Sequence, residues 1–205
     1  MKSVSIGAWL VFLLAGTAFA QSPDKPGKFY VGLQLGQSKL DRQATEITAD
    51  IDDKDFAYTA LAGFRFSRFY ALEFGYSDLG DFPANFSSGD SGRTSLRNFS
   101  ITNVVVWPVS EHVHLKALAG MNYFELTGSL TRASSGTTTS FSDDNGSYNF
   151  GLGVGVPMNE HLELGLDVTW YRTMTFAFDL IATDEFELVY EADATVIQLG
   201  ARYRF

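Results

Sequence analysis

The chain has 205 residues, 24 acidic against 15 basic side chains for a formal charge of −9, and no cysteine. Without thiols there are no disulfides, thiolate metal sites or lipid-modified cysteines. An acidic chain of one domain's length is a poor partner for nucleic acid.

The opening stretch MKSVSIGAWLVFLLAGTAFA supplies Lys2, an apolar run around Trp9 to Leu14 and the small-x-small ending Ala18-Phe19-Ala20. This predicts a secretory signal peptide over 1–20, cleaved before Gln21. An uncleaved anchor is the weaker alternative, because the run falls short of the ~20 apolar residues of a spanning helix. The mature domain, 21–205, has no other run long enough to cross as a helix. Loss of Lys2 takes its charge from −9 to −10.

From there the chain alternates with period two, bulky apolar residues on one parity and small or polar ones on the other. FYVGLQLGQS sets Phe29, Val31, Leu33 and Leu35 against Gly32, Gln34 and Gly36. Less regular segments follow near 56–66, 69–78, 95–107 and 113–125; in the third of these, Asn103 breaks the apolar face. YNFGLGVGV, HLELGLDVTW and the closing VIQLGARYRF return to clean alternation. Tight connections, SR at 67–68, PVSE at 108–111 and PMNE at 157–160, alternate with long polar ones near 39–55, 79–94, 126–147 and 174–193. The expectation is all-β: an eight-stranded antiparallel up-and-down transmembrane barrel, with both termini at the short-turn, periplasmic end. Strands of ~10 residues rise ~23 Å at ~45° tilt, close to the apolar band required.

An eight-stranded lumen holds little more than side chains. The glycine-rich parity therefore faces inward and the bulky parity faces lipid, with Phe74, Leu164 and Ile197 outside. Aromatic girdles are expected from Phe66, Tyr70 and Trp107 near the short turns, and from Tyr58, Tyr76, Tyr123, Tyr148 and Trp170 near the long loops. The same parity puts Arg65, Glu73, Lys116, Glu163, Asp167 and Arg202 in the lumen, where charges persist only when paired. Two tiers are expected, Arg65, Glu163 and Arg202 below Glu73, Lys116 and Asp167, with Glu163–Arg202 as the first pair. An electrostatic plug is the favoured reading of these charges; the alternative is a narrow gated path for ions or small solutes, porin-like in function.

GFRFSRFYALEFGYSDLG (63–80), KALAGMNYF (116–124) and the terminal LGARYRF resemble the OmpA-like transmembrane β-barrel family of Gram-negative bacteria. By that resemblance Glu73 matches the inward glutamate of the family's salt-bridge network. Val104 stands where members carry its basic partner, so Lys116 has to substitute. The resemblance also implies that Tyr203 and Phe205 form the signal read by the outer-membrane assembly machinery, and that the peptidoglycan-binding domain of longer members is missing.

Catalytic chemistry is not expected. His112, His114 and His161 sit at periplasmic turns or strand starts, and no histidine joins a serine and a carboxylate. DIDDKD at 50–55 and the acids at 184–193 lack calcium-loop spacing and read as solvated loop tips, so no metal or cofactor is expected. The expected protein is a monomer in the bacterial outer membrane, contacting its lipids and lipopolysaccharide. Its role is structural or one of surface interaction through its loops, with a loop partner that the residues do not specify. A lipid-modifying enzyme is the least favoured alternative.

Overall fold

The computed structural model describes residues 28–43, 49–51, 53–86, 88–179 and 187–205. The signal-peptide reading of 1–20 lies outside these, as do Asp184 and Glu185 of the second acidic group. Alternation becomes strand throughout: β1 (Lys28–Gln43), a short β2 (Ala49–Ile51), β3 (Lys54–Ser67), β4 (Tyr70–Phe86), β5 (Ser91–Pro108), β6 (His114–Thr131), β7 (Thr138–Pro157), β8 (Leu162–Asp179) and β9 (Glu187–Arg204). All pairings are antiparallel. Eight strands close when β9 pairs β1, from Tyr30↔Arg204 to Gln43↔Glu191, while β2 adds to the upper edge of β4. The Phe205 N–H donates to the Phe29 carbonyl at 3.1 Å, completing the seam.

The parity assignment holds around the circle. Phe74, Leu164 and Ile197 are each 44–54% exposed on the outer face, whereas Glu73 and Asp167 are 5% and 3% exposed inside. Luminal glycines provide the room. A methyl group on Gly153 would collide with the Asp167 carboxylate, and one on Gly155 would lie 2.7 Å from Glu163 Oε1.

Strand length departs from expectation. The regions 79–94 and 126–147, expected as long loops, are mostly the upper halves of β4, β5, β6 and β7, with tips at 88–90 and 132–137 among the described residues. β6 and β7, of 18 and 20 residues, rise roughly 42 and 47 Å at ~45° tilt, far beyond a ~25 Å apolar band. The pattern misleads there because its meaning reverses. Below the turnover, β6 points Lys116, Gly120 and Asn122 inward and Leu115, Ala117 and Met121 outward. Above it, on unchanged parity, Phe124 and Leu126 point inward while Glu125 and Thr127 face out. Outside the bilayer the outer face meets water, so the ordinary rule of apolar inside returns.

β4 adds a register shift between Asp78 and Asp81, where Gly80 takes φ 100°, so Leu79 and Phe82 both reach the interior. Asp55 braces this bulge. Its carboxylate accepts the N–H groups of Phe56 at 2.7 Å and Asp81 at 2.5 Å. The reading of 50–55 as solvated loop fails at that residue, because the bulge exposes a backbone N–H that needs an acceptor.

Candidate functional site

Three layers fill the lumen. In the lowest, Glu163 on β8 pairs with Arg204 on β9, and His114 Nδ1 on β6 stands 3.4 Å from Glu163 Oε2. Above it, Arg202 spans two strands' carboxylates. Its Nε lies 3.0 Å from Glu73 Oε1 on β4, and its Nη2 2.8 Å from Asp167 Oδ2 on β8. Lys116 Nζ reaches Asp167 Oδ1 at 2.8 Å, the Tyr30 hydroxyl donates to Glu73 at 2.8 Å, and Gln34 Nε2 donates to Asp167 at 2.5 Å. Arg65 borders the same space with Glu73, Lys116, Glu163 and Arg202, around a cavity of about 10 Å³. That is room for a single water.

The six sequence-derived charges thus share one lumen, but two expected pairings do not form. Glu163 and Arg202 are register partners, yet their side chains part. One guanidinium can satisfy Glu73 and Asp167 together, a better arrangement in low dielectric than one partner each, and Arg204 serves Glu163 nearer the water. Lys116 does not replace the missing base at Val104, because Glu73 is already held by Arg202. Tyr30, Gln34, His114 and Arg204 join the network beyond the six expected charges. Their shared parity with the charges was visible; their reach across the lumen was not.

The middle layer is polar and uncharged. Thr59 bonds Ser77 at 2.8 Å and Gln198 at 3.1 Å, and Asn149 Nδ2 donates to Thr102 at 3.5 Å. The upper layer is an apolar core of Leu40, Leu79, Phe82, Leu96, Phe124, Leu126 and Tyr171, with the Phe124 and Tyr171 rings edge to face at 5.4 Å.

The outer face carries the aromatics. Phe66 stacks on Tyr70 at 5.5 Å and Trp107 is 71% exposed at the short-turn end. Tyr203 meets Phe205 at 5.4 Å there. Higher up, Tyr76 contacts Tyr58 and Phe99, Phe150 stacks on Trp170 at 5.5 Å, the Tyr123 hydroxyl donates to Asp144 at 2.5 Å, and Tyr148 is exposed. Asn103, anomalous in the sequence, accepts the Tyr70 hydroxyl at 2.6 Å and donates to the Ala119 carbonyl at 3.4 Å. Its amide is thereby tolerated on a lipid-facing strand.

With the apolar exterior, charged lumen and closed seam in place, the sequence itself matches the OmpA-like transmembrane domain over residues 24–205. The chain belongs to that family. No curated protein matches it in sequence. Among solved structures, this OmpA-like barrel is similar to Neisserial surface protein A (TM-score 0.58, 14% identity, 88% of this chain and 100% of that one). It is also similar to OprG from Pseudomonas aeruginosa (0.53, 14%, 88% and 97%). A third is Ail, the attachment invasion locus protein of Yersinia pestis, in complex with the heparin analogue sucrose octasulfate (0.51, 16%, 88% and 100%). At such identities the likeness is one of fold, an eight-stranded outer-membrane barrel.

Proposed function

We propose that this OmpA-like barrel is exported through a cleaved signal peptide to the outer membrane of a Gram-negative bacterium. There it acts as a non-enzymatic, non-conducting monomer that presents an interaction surface above the membrane. One observation carries the reading: the lumen is filled at three levels, by ion pairs, by polar side chains and by an apolar core, while the strands continue far past the bilayer. A pore needs a continuous polar path, and Phe82, Phe124 and Leu126 interrupt it. A display scaffold needs a rigid stem and a raised surface. The name of Ail, an attachment protein of the same fold, agrees with a surface role. Lipid and lipopolysaccharide surround the barrel, and Phe205 at the seam is the end offered to the assembly machinery.

Planar-bilayer recordings of the refolded mature chain test this. Silence at both polarities is expected. Discrete conductance steps, abolished by Glu73→Gln, would establish instead the alternative of a narrow gated path through the balanced charges. N-terminal sequencing of protein from the outer-membrane fraction should begin at Gln21.

A further inference from the structure

The barrel wall is not equally complete at every height. Strands β6 and β7 stay paired from His114↔Gly155 to Thr131↔Thr138, the full length of their hairpin. On its other side β7 pairs β8 only from Pro157↔Glu163 up to Tyr148↔Arg172. Above that point, among the described residues, β7 from Thr138 to Ser147 has a neighbouring strand on one side only. At ~3.3 Å per residue this open edge is roughly 33 Å long.

Hydrogen-bond phase fixes which groups the edge presents. At the β6–β7 turn the Arg132 N–H donates to the Thr137 carbonyl at 3.0 Å, so odd-numbered β7 residues bond β6. At the β7–β8 turn the Met158 N–H donates to the Leu162 carbonyl at 2.8 Å, so even-numbered ones bond towards β8. The two roles alternate along an antiparallel strand. Ser140, Ser142 and Gly146 therefore turn their N–H and C=O groups out along the open edge, where no β8 residue pairs with them. A methyl group added to Gly146 would meet nothing within 4 Å. The Asp144 N–H points the same way and donates to the Asp143 carboxylate at 2.9 Å, a side chain standing where a strand carbonyl belongs.

Strand edges are ordinarily blunted by lysine, proline or a covering segment. TTSFSDDNGS (138–147) has neither of those residues. Strand backbone presented in this form accepts another extended chain.

Charge and geometry select the occupant. The segment carries Asp143 and Asp144 and no base, and Glu125 stands opposite Asp144 on β6. Arg172, at the foot of the gap, is already paired with Asp193. A second copy would set its own two aspartates against these, and like charges side by side repel. Upright copies related by a twofold about the membrane normal would also cross their β7 edges at about 90°, given the ~45° tilt of barrel strands. A foreign segment rich in lysine or arginine meets neither obstacle.

We infer that the open edge of β7, from Thr138 to Ser147, is a docking site for an extended, basic polypeptide segment, added to the sheet as a further strand. Backbone hydrogen bonds hold the segment, and Asp143 and Asp144 choose it. This deepens the surface role proposed above and rests on it.

The test uses the mature chain refolded in phospholipid nanodiscs and three capped decapeptides. One alternates threonine and lysine, one threonine and glutamate, and the third is the lysine peptide with all its backbone amides N-methylated. Without peptide, the amides of Ser140, Ser142 and Gly146 should exchange quickly with deuterium, and those of 141, 143 and 145 slowly. The lysine peptide should slow the first set at least tenfold, and the other two should leave it unchanged. Ser142→Pro removes one edge N–H without touching a β6 bond. It should cut affinity for the lysine peptide at least tenfold while keeping heat-modifiable gel mobility. Asp143→Asn/Asp144→Asn should weaken binding and flatten its salt dependence. Slow exchange at 140, 142 and 146 in the peptide-free chain would overturn the open edge. No protection by the lysine peptide would overturn the docking site, and equal protection by the glutamate peptide would overturn the basic occupant. Equal protection by the methylated peptide would overturn strand addition. Conductance in the planar-bilayer recordings would overturn the non-conducting reading while leaving these exchange rates as they are.

Discussion

The lower and upper halves of the lumen use the same strand parity for opposite chemistry. Below, inward positions hold Arg202, Glu73, Asp167 and Lys116; above, they hold Leu79, Phe82, Phe124 and Leu126. The outer surface changes in step, from Ile101 and Met121 to Arg97 and Glu125. One barrel wall is thus a membrane protein for part of its height and a water-soluble sandwich for the rest. The solvent outside decides what can be stored inside. Charges fit the lower lumen because glycine leaves space for ion pairs beside a small apolar cluster of Tyr30, Leu61, Ala71, Val104, Val106 and Leu118. Rings suit the upper lumen because water outside restores the hydrophobic drive.

Removing a centre from each half should separate the two kinds of interior. Arg202→Met strands Glu73 and Asp167 without their shared cation and is expected to cost about 3–5 kcal/mol, measured by urea unfolding of the refolded barrel on heat-modified gels. The half-exposed Arg172–Asp193 pair is the control, and Arg172→Met should change stability by about 1 kcal/mol or less. In the upper half, Phe124→Ala opens a cavity worth about 3 kcal/mol, whereas Phe99→Ala on the outer face should cost clearly less in the same assay. Gly153→Ala sharpens the comparison by overfilling the lower half: its methyl displaces the Asp167 carboxylate, for about 1–3 kcal/mol.

The smallest effect lies at the rim. The Ala133 N–H at 2.8 Å, assisted by the Ser88 hydroxyl, holds the Asp90 carboxyl below its ordinary value and joins the two hairpin tips. A lowered folded-state pKa stabilises above the unfolded value of 3.8. That contribution is lost as pH falls through the folded-state pKa. The Ala133 amide resonance should therefore move on acidification below about pH 4 in the native chain and stay still in Asp90→Ala, with the barrel below unaffected.

The barrel was legible where one solvent governed a whole segment. In YNFGLGVGV and HLELGLDVTW, glycine and bulky residues alternate without a break, and those strands came through as read. The upper strands were not legible, because at Phe124 and Leu126 the greasy parity becomes the inner one, and a phase reversal in sequence looks like a loop. Charge location was also legible from parity, since all six luminal charges point inward. Pairing was not. Register opposes Glu163 to Arg202, but a guanidinium on a long stem can cross the axis to Glu73, and only three-dimensional placement shows which carboxylates converge. Asn103 is a further case: its partner, the Tyr70 hydroxyl, comes from the neighbouring strand 33 residues away.

The chain has no cysteine, so single-cysteine spin labels can be walked up the outer face of β5 at positions 101, 99, 97 and 95, and their access to oxygen and to a water-soluble nickel reagent compared. The account predicts oxygen-dominated access at Ile101→Cys and Phe99→Cys, switching to nickel-dominated access at Arg97→Cys and Ser95→Cys. Oxygen-dominated access continuing through position 95, or nickel-dominated access already at 101, would contradict the change of solvent on which the two-halved lumen depends.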